Sequence, residues 1–176
     1  RPNTKGGHHR INLLPTTSHV YFGSVVGATP DGRRIRLHVA VADAGSQTPR
    51  PDPLFFFAGG PGQAAGESYV PYETAFARVN RKRDIVLIDQ RGTGKSNRLA
   101  CPAPADDWLG ADRTDAETAA WLRGCLDSHD ADLSHYLTAD AVRDFDHVRA
   151  ALGYETVNLY GISYGTRVAL EILRRH

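Results

Sequence analysis

The sequence predicts an α/β fold in which an antiparallel hairpin leads into a parallel sheet flanked by helices. Residues 18–26 and 33–42 read as the hairpin, because the second run alternates apolar and polar side chains as a half-buried strand does. Residues 54–58, 85–88 and 156–160 are instead continuously apolar. Such runs are typical of strands that helices cover on both faces.

Three helices are expected between and beside these strands, over residues 67–79, 115–127 and 139–152. The last has the clearest apolar stripe, with Thr138 as its expected N-cap and Gly153 as its C-terminal stop. The antiparallel elements come first and the parallel ones follow, as in an α/β sheet with an antiparallel edge. In the helix at 115–127, the side chains expected to face inward are Trp121, Leu122, Cys125 and Leu126.

The composition indicates one globular unit. The chain has 176 residues, of which 41% are hydrophobic and 23% charged, with a net charge of +1. Balanced charge argues against a nucleic-acid interface, and no apolar run approaches the roughly 20 residues of a membrane span. We expect residues 1–17 to be a mobile N-terminal segment without a signal peptide, and residues 18–176 to be part of one domain. Methionine is absent, which suggests a processed or trimmed chain.

Two cysteines, Cys101 and Cys125, allow one disulfide or two free thiols. A bridge would close a loop of about 25 residues and stabilise the fold by roughly 3 kcal/mol. It would also indicate an oxidising compartment, periplasmic or secreted, whereas reduced thiols would fit the cytoplasm. The eight histidines show no strong metal-ligand spacing, so no metal is expected.

The segment Gly161-Ile-Ser-Tyr-Gly165 fits G-x-S-x-G between an apolar strand and a helix-like run. That context is the one a nucleophile elbow requires, with Ser163 on a tight, strained turn. Small residues at 161 and 165 would relieve the crowding of such a turn, and the helix would place its positive end at Ser163. The alternative is an ordinary strand–turn–helix connection that contains a serine.

The run Gly59-Gly-Pro-Gly62 directly follows the Phe-rich strand. Glycines at the carboxyl end of a strand let the backbone approach a ligand and direct N–H groups at it, which suits an oxyanion hole. Gly60, Pro61 and Gly62 would shape that turn, and a plain tight turn is the alternative.

Residues 89–96, Asp-Gln-Arg-Gly-Thr-Gly-Lys-Ser, end like a phosphate-binding P-loop. The P-loop spacing would require glycine at position 89, where Asp89 stands, so nucleotide binding is not expected. We expect Asp89 and Arg91 to pair with each other and to support the neighbouring turns. Three aspartates on the helix at 139–152 are expected to form a solvated face: Asp140, Asp144 and Asp146.

Taken in order, the three motifs resemble those of the proline iminopeptidase and tripeptidyl aminopeptidase branch of the α/β-hydrolases, over roughly residues 20–176. The cysteine pair and residues 137–149 are more similar to the tripeptidyl aminopeptidase side. The resemblance implies that Ser163 is the nucleophile and that the N–H groups of Gly59 and Tyr164 form the oxyanion hole. It further implies release of N-terminal residues or short peptides, without a cofactor. Ala58 departs from the histidine that iminopeptidases often carry before the glycines.

In α/β-hydrolases the triad runs serine, then acid, then histidine along the chain. Only 13 residues follow Ser163, and Glu171 and His176 lie on the helix that leads away from it. We therefore expect this chain to be the N-terminal half of a longer hydrolase, with the C-terminal half as a separate or omitted segment. Alone it would be catalytically poor. An esterase acting on small esters and a non-catalytic binding domain remain the alternative functions.

Overall fold

A computed structural model describes residues 34–101 and 113–176, together with the backbone of two strands at 9–11 and 20–28. The described residues form six strands: β1 His9–Ile11, β2 Val20–Ala28, β3 Arg34–Ala42, β4 Leu54–Phe57, β5 Ile85–Ile88 and β6 Asn158–Gly161. The same part of the chain forms five α-helices: α1 Ala65–Tyr69, α2 Glu73–Asn80, α3 Asp115–Asp127, α4 Thr138–Ala151 and α5 Tyr164–Arg175.

All six strands form one mixed sheet in the order β1-β2-β3-β5-β4-β6. The β2–β3 hairpin is antiparallel, with Val20 opposite Ala42 and Ala28 opposite Arg34. Strand β4 is parallel to β5 on one side and to β6 on the other. The predicted succession of an antiparallel hairpin and a parallel sheet is confirmed. The residues that connect β2 and β3, 29–33, lie outside the described residues.

Strands β4 and β5 are covered on both faces, which explains their continuous apolar runs. On one face, Phe55 and Phe57 pack with Phe145 of α4 and Val168 of α5. On the other, Phe56 packs against α1 and α2, where Tyr69 and Phe76 lie with their rings 5.6 and 5.7 Å from it. Alternate residues of β4 therefore enter two separate apolar layers, and no position of that strand is free to be polar.

Two expectations about the N-terminal and middle parts of the chain need correction. His9–Ile11, within the segment expected to be a mobile tail, forms β1 and pairs with β2; the rest of residues 1–17 lies outside the described residues. The helix expected at 67–79 is two helices separated by a 3-10 turn at Val70–Tyr72. Pro71 lies in that turn, and its missing N–H and fixed φ favour such a break.

Helix α3 faces solvent more than its sequence suggested. Only Cys125 is buried, whereas Leu122 and Leu126 are 45% and 49% exposed. The helix begins with a capping box, in which Thr114 and Glu117 satisfy each other's backbone N–H groups. Cys125 is joined to Cys101 in a disulfide with a Cα–Cα distance of 5.5 Å, so a covalent bond ties this helix to the loop after β5.

Helix α4 begins at the predicted place, but Thr138 does not cap it. The backbone N–H of Leu137 instead donates to the Asp140 carboxylate at 3.2 Å, which satisfies the helix start from within its first turn. Gly153 stops the helix as expected, with φ +78° and its N–H donating to Ala150. In the part of the chain that the structure describes, none of the helices combines the length and apolar character that a membrane span requires.

Candidate active site

Ser163 occupies a sharp bend between the end of β6 and the start of α5. Its backbone has φ +52° and ψ −117°, a conformation that costs a non-glycine residue free energy and that only its surroundings can maintain. The bend is held by the N–H of Ile162, which donates to Phe57 of β4 at 3.1 Å, and by that of Gly165, which donates to Ile162 at 2.8 Å. The side chain of Ser163 is exposed.

Gly161 and Gly165 leave no room for a side chain. A Cβ atom at position 161 would lie 2.6 Å from the backbone nitrogen of Thr166, across the bend. A Cβ at position 165 would lie 2.8 Å from the carbonyl oxygen of Ala58. Both neighbours are backbone atoms, so no rotamer change relieves these contacts. The G-x-S-x-G pattern therefore has the steric basis that the sequence suggested.

The Gly59–Gly62 turn lies directly beside Ser163. A Cβ atom built on Gly59 would be 3.3 Å from the Cβ of Ser163 and 3.4 Å from the carbonyl oxygen of Ile162. Gly60 and Gly62 have φ +106° and +110°, values that favour glycine, and the Gly60–Pro61 peptide bond is cis. The fold thus brings together two motifs that are about 100 residues apart in the sequence.

Tyr164, the residue after the bend, is fixed by a contact that the sequence did not indicate. Its hydroxyl lies 2.7 Å from the hydroxyl of Thr138 at the start of α4. One of these groups donates to the other, so α4 holds the first residue of α5 in place. Thr138 therefore supports the bend rather than its own helix.

Asp89 follows β5 and organises the loop at residues 89–96. Its carboxylate accepts the N–H of Lys95 at 3.0 Å and that of Gly66 in α1 at 3.4 Å, and it lies 3.4 Å from Nδ1 of His38. Burial tends to raise the pKa of Asp89, but the contacts with His38, Lys95 and Gly66 outweigh it and hold the pKa below its ordinary value. Gly94, with φ +48°, is the residue that lets the loop close around the carboxylate.

Arg91 does not pair with Asp89, contrary to expectation. Its guanidinium forms two hydrogen bonds of 2.7 Å to the carboxylate of Asp144, and a third of 2.6 Å to the carbonyl oxygen of His135. Both charged side chains are almost fully buried, at 1% and 2% exposure. Burial lowers the pKa of Arg91, but the hydrogen bonds and the charge of Asp144 outweigh this and raise it. Because the pairing is bidentate, the ion pair locks the loop after β5 onto α4.

The acidic residues of α4 are not a solvated face. Asp140 and Asp144 are both buried, and Asp146 is partly exposed. Asp140 closes the N-terminus of the helix and pairs with Arg143. Burial raises the pKa of Asp144, while Arg91 opposes that effect. The sequence pattern could not reveal the burial of Asp144, because its partner Arg91 lies in the loop after β5, 53 residues away along the chain.

Neither acid–base group downstream of Ser163 points back to it. Glu171 forms hydrogen bonds to Arg174 and Arg175, which lower its pKa to about 2. His176 follows the last residue of α5, a helix of 12 residues and therefore about 18 Å long. Glu171 and His176 thus match the expectation that neither reaches the Ser163 hydroxyl.

Among the described residues, one cluster brings metal-ligand atoms together: Cys101, Cys125 and His129, whose ligand atoms lie within 4.8 Å of one another. Both sulfurs are joined in the disulfide, and His129 Nε2 lies 3.7 Å from Sγ of Cys125. A disulfide sulfur is not a thiolate, so the oxidised cluster lacks the ligands that a metal would need.

A model of the alpha/beta hydrolase fold matches residues 52–176, which include all three motifs. The chain belongs to the α/β-hydrolase fold family. The predicted fold class is therefore confirmed, and the described sheet is part of the α/β-hydrolase fold.

Several of the similar proteins lie in the branch that the motifs indicated. A tripeptidyl aminopeptidase of Streptomyces coelicolor is 31% identical over 156 residues, which cover 79% of this chain and 29% of that protein. The serine protease Hip1 of Mycobacterium bovis is 32% identical over 125 residues, which cover 62% of this chain and 24% of that protein. This α/β-hydrolase chain therefore spans less than a third of the length of either relative.

Among solved structures, the proline iminopeptidase of Mycobacterium smegmatis superposes with a TM-score of 0.53 at 25% identity, over 88% of this chain and 40% of the other. A proline iminopeptidase-related protein of Thermus thermophilus gives a TM-score of 0.52 at 26% identity, over 87% and 41%. The fold of this chain is thus similar to part of the fold of both structures.

Proposed function

We propose that this chain carries the nucleophile of a serine hydrolase that removes N-terminal residues or short peptides. The observation that supports it is the strained, exposed Ser163 at the bend between β6 and α5, with Gly59 beside it. An α/β-hydrolase serine in this conformation has its hydroxyl free to attack a carbonyl carbon. The similarity to an aminopeptidase and a serine protease favours a peptide over other acyl substrates.

In the proposed reaction, the Ser163 oxygen attacks the substrate carbonyl and its proton passes to a histidine base. The N–H groups of Gly59 and Tyr164 donate to the oxygen that becomes negative, and the amine leaves after it receives that proton. The resulting acyl-enzyme is then hydrolysed by water. Asp89 and Arg91 take no part in these steps, because each is buried and bound to other protein groups. Covalent acyl transfer requires no cofactor.

We further propose that a C-terminal half of the same hydrolase supplies the base and its acid partner. Within the described residues, β6 pairs only with β4, so its other edge is open. Leu170 and Leu173 of the adjacent helix are 67% and 70% exposed, and a cleft of about 630 Å³ runs between α4, α5 and β6. An open strand edge beside exposed leucines is a surface on which further strands and helices pack.

Labelling with a fluorophosphonate probe tests the nucleophile. The intact hydrolase should be labelled at Ser163, Ser163→Ala should abolish labelling, and Ser134→Ala, which alters an exposed serine bound to Asp132, should leave it unchanged. An intact-mass measurement on the source material should reveal the C-terminal half, and the 176-residue chain alone should label far more slowly. Equal rates for the chain alone and the intact protein would contradict a base supplied from elsewhere.

Substrate assays decide between the functions. Tripeptidyl and aminoacyl nitroanilides should be cleaved faster than acyl nitrophenyl esters, with Ser163→Ala inactive on both. Cleavage of esters alone would favour the esterase alternative, and an intact protein whose Ser163 does not react would favour a non-catalytic domain.

The Cys101–Cys125 disulfide supports a periplasmic or secreted location, because such bonds persist in oxidising compartments. Alkylation of the protein from its source, followed by mass spectrometry, should find both cysteines blocked. Two alkylated thiols would favour the cytoplasm.

A further inference from the structure

The side-chain oxygen of Gln63 lies close to Gly59, the residue beside Ser163. A Cβ atom built on Gly59 would lie 3.0 Å from Oε1 of Gln63 and 3.3 Å from Cβ of Ser163. Oε1 of Gln63 and Cβ of Ser163 therefore both lie close to the same point beside Gly59. Neither a motif nor a periodicity in the sequence indicated Gln63, which lies just after the Gly59–Gly62 run.

A carboxamide at this place offers a donor as well as an acceptor. The oxygen and the NH₂ group of glutamine have nearly the same shape, and a half-turn of the amide exchanges them. When a substrate carbonyl lies beside Ser163 and gains negative charge, the arrangement with Nε2–H directed at that oxygen is favoured electrostatically. Amide side chains serve as oxyanion donors in this way in other hydrolytic enzymes.

The surroundings of Gln63 leave its side chain free for this role. Gln63 is exposed, and it borders two neighbouring cavities. One is a small space whose lining includes Gly59 and Tyr164, and the other is an open cleft that continues past Gly62 toward Glu67 and Arg98. A residue between two cavities can turn toward a bound substrate without disturbing a packed core.

We propose that Gln63 is a third oxyanion donor, whose Nε2–H binds the substrate carbonyl oxygen together with the two backbone N–H groups. This rests on the proposed function, because it requires Ser163 to be the nucleophile. The ligand is the carbonyl oxygen of a peptide or ester as it becomes tetrahedral. Since this bond strengthens as charge develops, Gln63 acts on kcat and only weakly on KM.

Steady-state kinetics of the intact hydrolase on its best nitroanilide substrate test the proposal. Gln63→Ala should lower kcat about 100-fold with KM changed less than threefold, since the loss of one oxyanion donor typically costs roughly 10² to 10³ in kcat. Gln63→Glu, which has the same shape but sets a negative charge beside the oxyanion, should be slower still. Gln47→Ala, at an exposed position in the loop between β3 and β4, is the matched control and should have wild-type kinetics.

The results distinguish a failure of the proposed Gln63 role from a failure of the proposed serine hydrolase function. If the intact protein is labelled at Ser163 but Gln63→Ala keeps its kcat, or loses activity through KM alone, then Gln63 is not an oxyanion donor and the serine hydrolase proposal stands. If Ser163 does not react in the wild-type protein, the proposed function itself fails. Unfolding midpoints of all variants should match the wild type, so that a kcat loss is not a folding defect.

Discussion

Gly165→Ala tests whether the bend around Ser163 requires the absence of a side chain. The added Cβ would lie 2.8 Å from the carbonyl oxygen of Ala58 and 2.8 Å from the carbonyl carbon of Phe57. Those distances are several tenths of an ångström below van der Waals contact, and the neighbouring atoms belong to the backbone at the carboxyl end of β4. Relief requires α5 to move away from β4.

Overpacking of a core typically costs about 1–3 kcal/mol when side chains can adjust. Here the obstacle is main chain, so we expect Gly165→Ala to lower the free energy of unfolding by about 3 kcal/mol or more. The same displacement shifts Ser163, so the rate of fluorophosphonate labelling should fall by at least tenfold.

Gly124→Ala is the matched control, because the same chemical change is made where nothing lies within 4 Å. Gly124 lies inside helix α3, where alanine is favoured over glycine by about 1 kcal/mol. Urea unfolding followed by circular dichroism should therefore show opposite shifts for the two variants. If Gly165→Ala were as stable as the control and labelled at the wild-type rate, the steric account of the bend would be wrong.

Three further predictions concern the polar contacts and the disulfide. Asp144→Asn should cost about 3–5 kcal/mol in urea unfolding, because it leaves the buried Arg91 guanidinium without its counter-charge; a cost below 1 kcal/mol would refute a structural ion pair. The folded-state pKa of Asp89 is lowered, so its ionised form stabilises the fold above the ordinary pKa of 3.8, and this contribution is lost as the pH falls through the lowered pKa. The destabilisation caused by Asp89→Asn should accordingly shrink between pH 7 and pH 3, whereas a constant difference would contradict that reasoning. Replacing both Cys101 and Cys125 with serine should cost about 3 kcal/mol, visible as a lower melting temperature that reductant no longer affects.

The parts of the fold that follow from local sequence were predicted well. Strand β4 is apolar at every position because its neighbours in the sheet and both helical layers surround it. The two glycines of the Ser163 bend are also local features, since the clash they avoid is with atoms only a few residues away or in the adjacent strand. Such features can be predicted from the sequence, because the spacing of residue types over a short segment reflects their local environment.

The partners of buried charges were not predictable in the same way. Arg91 and Asp144 are 53 residues apart, and the sequence around either residue does not indicate that the other is its partner. From the sequence alone, an acidic residue on a helix is predicted to face solvent, because the loop that covers it in the fold is not known. Leu122 and Leu126 show the reverse error, since their apolar stripe exists in the sequence but the described residues do not cover it. Periodicity reports which side chains share a face, and tertiary contacts decide what that face meets.

The buried polar groups behind the bend form one connected support for the two backbone positions proposed as oxyanion donors. Asp89 binds the N–H of Gly66 in the helix that follows the glycine turn, and so braces the Gly59 side. Two residues later Arg91 is locked onto α4, and the first residue of α4, Thr138, holds the hydroxyl of Tyr164. The loop after β5 thus joins the two sides of the candidate site through buried charges. In the proposed reaction, a displacement of either donor by an ångström would weaken transition-state binding, so these buried contacts would affect catalysis only through geometry.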